Sequence, residues 1–169
     1  ISAADDLLGF VADRLKVYLR GQDISHDVVA AIFALGGDDV VEMAGRAAGL
    51  RDFLGGEDGL NLKAAYTRAN GICTKASHDD AEVNDDLLGD AAEQALFAAL
   101  QGTMAAKTDT LDDYLAFLDK LATLRAPVDG FFEAVMVNDD DAEIRHNRLS
   151  LLQALVRQMR RAADFDLIE

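Results

Sequence analysis

Apolar positions recur along this chain at three- and four-residue spacings, and no segment alternates apolar and polar residues for long. That periodicity predicts helices throughout and speaks against a sheet. The first helix is expected over about residues 4–20, with Leu7, Leu8, Val11, Leu15, Tyr18 and Leu19 as its buried stripe. Ser25 or Asp27 then caps a short helix that ends at Gly36 and Gly37, since glycine accepts the positive φ common at helix exits. Asp38 or Asp39 opens a third helix that stops near "LGGEDG", and a fourth runs from about Leu60 to Ala76. The polar, acidic stretch at 77–90 reads as a mobile loop. Helices near 87–100 and 111–124 follow. The single proline, Pro127, then sits in the first turn of another, with Asp129 just behind it in the favourable N-terminal field. "NDDDAE" opens the last long helix, which carries arginines at its end. The expected fold is all-α, a bundle of about seven to eight helices forming one domain over residues 1–169.

Composition narrows the class. A chain that is 50% hydrophobic, with one Pro and no Trp, supports the helical reading. Cys73 stands alone, which excludes an internal disulfide and fits a reducing, cytoplasmic setting. With Ile1 first, no signal-type segment and no 18-residue apolar run, the sequence reads as a soluble piece of a longer protein.

The net charge of −15 argues against a generic nucleic-acid or membrane binder. Its distribution changes that picture. Residues 14–22, 59–78 and 144–163 contain none of the 31 acids yet hold eleven of the 16 basic residues, which suggests one basic face on an acidic body.

Three helices carry the polar chemistry. In the first, Lys16 and Arg20 lie one turn apart, opposite the apolar stripe, either as a solvated face paired with Asp13 or as phosphate contacts. In the fourth, Leu62, Ala65, Ala69, Ile72 and Cys73 make a slim apolar face, with Lys63, Thr67, Asn70 and Thr74 opposite and Tyr66 at the border. Arg68 and Lys75 share another flank. Tyr stacking, Asn at a base edge and Lys or Arg on phosphate are what unpaired RNA requires, while a core tyrosine with ordinary polar solvation is the plainer alternative. In the last helix, Arg145 and Arg148 fall in the apolar sector, whereas Arg157, Arg160 and Arg161 lie outside it or at its edge. A packed arginine needs a partner, and Asp129 is the candidate for Arg148. Arg145 and the outer arginines are read as RNA contacts. No catalytic or metal-binding signature stands out. His26–Asp27 lacks further ligands at suitable positions, Cys73 has no CxxC partner, and there is no Walker loop or GxGxxG.

The segments "DRLKVYLRGQDISHDVVAAIFALGG", "AAYTRANGI" and "LRAPVDGFFEAVMVNDDDAEIRHNRLSLLQALVRQMRRAADFDLIE" resemble the C-terminal region of the bacterial glycyl-tRNA synthetase beta subunit. The last block is the most specific, and it also resembles the helical DALR anticodon-binding domain of arginyl-tRNA synthetases. The resemblance implies a tRNA anticodon-region binding domain with no cofactor of its own. Its parent enzyme would join glycine to tRNA(Gly) with ATP and Mg, working with an alpha subunit and the remainder of the beta subunit. A helical docking module of the same assembly is the alternative. In the final block Pro127 and Asp129 would set a helix entry, Phe131 and Phe132 would feed the core, and Arg148 would be structural. The family commonly has a basic residue where Thr67 stands here, and residues 77–111 match no part of the resemblance.

Overall fold

The computed structural model describes residues 3–169, and the side chains of Leu7 and Leu8 lie outside the described residues. The helices are α1 (Ala3–Arg20), α2 (His26–Phe33), α3 (Val40–Gly55), α4 (Glu57–Lys75), α5 (Ala91–Met104), α6 (Leu111–Ala122), α7 (Arg125–Ala134) and α8 (Ala142–Ala162). Single 3-10 turns occupy Asp85–Leu87 and Phe165–Leu167, and no strand occurs among the described residues. The all-α expectation holds.

Local chemistry explains the starts. Asp39 accepts from the backbone N–H groups of Val41 and Glu42 at the head of α3, and Asp141 does the same for Glu143 and Ile144 at the head of α8. Each bond satisfies a donor that the first helical turn leaves without an intrahelical partner. Ser25 occupies the cap position of α2 without a side-chain bond. Gly36 and Gly37 take φ of 80° and 144°, so the glycine pair does end that segment. The fifth helix begins at Ala91 rather than near Leu87, because Asp90 and Glu93 form a reciprocal capping box there.

Helix α4 starts at Glu57, only one residue after α3 ends, which requires a tight corner. Gly59 makes the corner possible. A Cβ at that position would sit 1.9 Å from the Phe53 carbonyl oxygen, a backbone atom that cannot swing aside. Gly59→Ala is therefore expected to destabilise the chain by about 1–3 kcal/mol, readable as a shifted urea midpoint at unchanged slope.

Helices α4 and α8 form the centre. α8 packs on α4, α5 and α6, while α4 also meets α3, α6 and α7. Most of α8 is buried, including Leu151, Leu152, Leu155, Val156 and Met159. Tyr114 of α6, fully buried, donates its hydroxyl to the Ala162 carbonyl at 2.8 Å, which ties α6 to the end of α8.

The block around Pro127 resolves into a corner. Pro127 is the third residue of α7, where the missing N–H costs no helical bond. Arg125 at the head of α7 reaches Glu57 and Asp58 of α4 at 2.7 and 2.8 Å. Phe131 is core, and Phe132 is half-buried against it. Asp129 does not pair with Arg148. It lies one turn from Arg125 and meets that guanidinium at 3.7 Å. Arg148 points elsewhere, to Glu93 of α5 at 2.5 Å, Asp139 at 2.7 Å and the Met136 carbonyl at 2.8 Å. Burial works against the Arg148 charge, and the bonds to Glu93 and Asp139 overcome it, so its pKa is raised.

Residues 77–90 are anchored to α8 rather than free of it. Buried Asn147 accepts from the Asn84 backbone N–H at 2.7 Å and donates to the Asn84 carbonyl at 2.9 Å, as a neighbouring strand would. His78 meets Ser150 at 3.2 Å, Asp80 pairs with Arg157, and Leu88 enters the core.

Candidate nucleic-acid interface

The candidate surface centres on α4. Its buried line is Leu62, Ala65, Tyr66, Ala69 and Cys73, which leaves Lys63, Thr67, Arg68, Asn70, Gly71, Thr74 and Lys75 partly or fully exposed. No acid lies between Gly59 and His78, so beyond the first turn, which carries Glu57 and Asp58, the outer face of the helix is cationic or neutral. At ~1.5 Å per residue the ridge from Lys63 to Lys75 is about 18 Å long, and Lys63, Arg68 and Lys75 make no ion pair with any described residue.

Each flank of this ridge meets another element. On one side Arg68 lies over the Phe132 ring at 4.1 Å, a cation–π contact that holds the guanidinium along the α4–α7 groove. Further along the same side a cleft of 410 Å³ brings Lys75 and Ile72 opposite Val137, Asn138 and Arg145. The Arg145 guanidinium is oriented there by the Asp139 carbonyl at 2.5 Å. On the other flank Arg160 of α8 sits by Asn70 at 3.4 Å and by Asp166 at 3.5 Å, long contacts that leave it 44% exposed. The structure thus brings Lys63, Arg68, Asn70, Lys75, Arg145 and Arg160 to one helix and its borders.

Other predicted contacts fall elsewhere. Tyr66 is 2% exposed, with its ring against Phe165 at 5.4 Å and its hydroxyl donating to Asp166 at 3.0 Å. It has no free face on which a base could stack, and it serves as the core tyrosine of the plainer reading. Burial, the leading cause, raises its pKa, with Arg160 opposing. Arg161 turns inward to the carbonyls of Thr103 and Ala106 at 3.0 and 2.5 Å and covers the Phe117 ring at 4.5 Å. It satisfies the open end of α5, and burial lowers its pKa. Arg157 is engaged by Asp80. Lys16 and Arg20 line a separate cleft of 490 Å³ with His26 and Phe33, and Lys16 is 3.7 Å from Asp13.

Sequence reading missed His78 and His146, whose rings lie 4.7 Å apart beside Arg145, and Glu93, which both caps α5 and binds Arg148. The "DAAE" spacing of the capping box was a visible signal for Glu93. The histidine pair, 68 positions apart in sequence, had none. Cys73 is buried, and burial pushes its thiol up to about 11, far from nucleophilic use. Among the described residues no group of three or more His, Cys, Asp or Glu is placed to hold a metal ion, and no helix is long and apolar enough to cross a membrane.

Comparison with known proteins adds a family. Residues 62–165, from the first turns of α4 to the last 3-10 turn, match the DALR anticodon binding domain. The matched region runs through residues 77–111, so that segment lies within the family's fold rather than outside it. The chain is 43% identical to the glycine–tRNA ligase beta subunit of Ruegeria sp. (strain TM1040), over 97% of this chain and 25% of that protein. It is 40% identical to the beta subunit of Paracoccus denitrificans over 98% of this chain and 25% of the relative. For Rhodospirillum centenum the figures are 41%, 97% and 24%. The chain therefore spans about a quarter of the length of these curated relatives.

Proposed function

The chain belongs to the DALR anticodon-binding domain family, and from that premise we propose that the outer face of α4 holds the anticodon stem-loop of a tRNA. The observation that carries this reading is the ridge itself: an acid-free helix face, flanked by Arg145 and Arg160, on a chain of net charge −15. Lysines and arginines in such a row neutralise successive phosphates, and Asn70 offers an amide for a base edge. Because the relatives are named glycine–tRNA ligase beta subunits, tRNA(Gly) is the proposed nucleic acid. The alpha subunit and the rest of beta are the proposed partners, and the proposed setting is the cytoplasm. ATP and Mg are the proposed cofactors of glycine attachment, acting in the parent enzyme outside this chain.

The test is fluorescence binding of the chain to a tRNA(Gly) anticodon stem-loop, and to the same loop with its anticodon exchanged, across a salt series. Five phosphate contacts predict a log–log slope of about −3.5, or roughly a 100-fold loss between 50 and 200 mM salt. Weaker binding of the exchanged loop is the sign of base reading. A flat salt response would instead favour docking to protein. That second reading has one observation behind it: α1 leaves Phe10, Val17 and Tyr18 exposed on one side.

A further inference from the structure

We propose that the cleft walled by His78, His146 and Arg145 is a subsite for one RNA backbone phosphate, and that it takes up a proton as it fills. This rests on the reading of α4 as the RNA-binding face, and it assigns two residues which that reading does not use. The cleft has a volume of 240 Å³ and lies between the end of α4 and the start of α8. It shares Ala76, Arg145 and Leu149 with the cleft beside Lys75, so it continues the cationic groove.

The hydrogen bonds fix how the histidines enter. The Ser150 hydroxyl donates its single hydrogen to the His146 carbonyl at 3.1 Å. Toward His78 Nε2, 3.2 Å away, Ser150 can then only accept. The neutral His78 ring therefore carries its proton on Nε2, and Nδ1 is the atom that takes up the next one. The His146 ring lies 4.7 Å away at 59°, so charging both rings without an anion between them is unfavourable. Burial, then His146, holds the pKa of His78 below the usual histidine value, against the pull of Asp79 and Asp80. Asp80 is already engaged by Arg157, which leaves Asp79 as the acid on the cleft wall. The other charged groups on these walls are Arg145 within the cleft and Lys75 across its neighbour. A phosphate would supply the missing counter-charge. Once His78 is protonated, that ring and Arg145 together outweigh Asp79.

The linkage has a definite sign. An anion raises the histidine pKa in the bound state above its free value. The added affinity is then fully present below the free pKa and is lost as pH rises through the bound one. One proton and a tenfold rise in its affinity give at most a tenfold effect, of which about fivefold falls between pH 6 and pH 8, a range in which carboxylates do not titrate.

Two measurements test this on the whole chain. The first follows stem-loop binding at fixed ionic strength over pH 6–8 for the wild type and for His78→Gln/His146→Gln. The wild type should weaken about fivefold, while the double variant stays flat and matches the wild type at pH 8. The second follows both histidine ring resonances by NMR as inorganic phosphate replaces chloride, and the His78 ring pKa should rise. An unchanged pH slope in the double variant, or rings indifferent to phosphate, would overturn the proposal. If phosphate moves the rings while RNA affinity stays flat, the site takes free phosphate and its assignment to RNA is wrong. If no RNA binds at any pH, the α4 reading falls with the RNA assignment, and the phosphate titration alone decides whether an anion site exists. Single substitution of exposed His146 guards against a folding defect from changing both.

Discussion

Arg148→Met is expected to lower stability by about 3–5 kcal/mol, the largest loss foreseen for a single side chain here. Glu93, its partner, is 1% exposed, so removing the guanidinium strands a carboxylate in the interior. The same carboxylate accepts from the Asp90 backbone N–H at 2.8 Å, and displacing it would also open the cap of α5. Arg148 further holds Asp139 and the Met136 carbonyl, which fixes the link between α7 and α8. Three elements thus depend on one side chain. Urea unfolding followed by circular dichroism measures the loss. Adding Glu93→Gln to the methionine variant should recover part of it, because a neutral amide is cheaper to leave buried than a charge. Equal stability of Arg148→Met and wild type would mean that the pair is no better than its uncharged replacement.

What was legible in the sequence follows how local each cause is. Asp39, Asp141 and the Gly36–Gly37 pair act on backbone within a few residues, so the sequence marks the glycine exit and brings each cap to within a short acidic run. The apolar face of α4 was legible for the same reason, because helical periodicity alone sorts Leu62, Ala65, Ala69 and Cys73 together. Arginine roles were not. Whether Arg161 reaches solvent or the carbonyls at the end of α5 depends on where α5 lies, and the two are more than 50 positions apart. Arg148 meets Glu93, 55 positions away, rather than Asp129, which lies one turn from Arg125. The acidic stretch at 77–90 shows the same limit, since composition marks it as loop while Asn147, far along the chain, anchors it. Tyr66 looked like a border residue, and the turn at Phe165–Leu167 folds over it.

Lys63→Glu/Lys75→Glu should weaken stem-loop binding by about 100-fold and reduce the salt slope by about 1.5–2. Both lysines lie on the outer face of α4, neither pairs with a described acid, and together they mark the two ends of the ridge. The matching control is Lys107→Glu/Lys120→Glu, exposed lysines outside the acid-free windows that change net charge by the same amount. If the protein's overall field governed binding, the two doubles would weaken it equally. If local contacts govern it, the control should stay within about threefold, since charges beyond a Debye length of ~8 Å are largely screened. The comparison therefore separates a basic site from a chain that is merely a little less acidic. Folding is not at issue for either pair. The foreseeable cost is a few tenths of a kcal/mol for an acid in the last turn of a helix, at position 75 of α4 and at position 120 of α6 in the control, and it would be seen in the same urea titration.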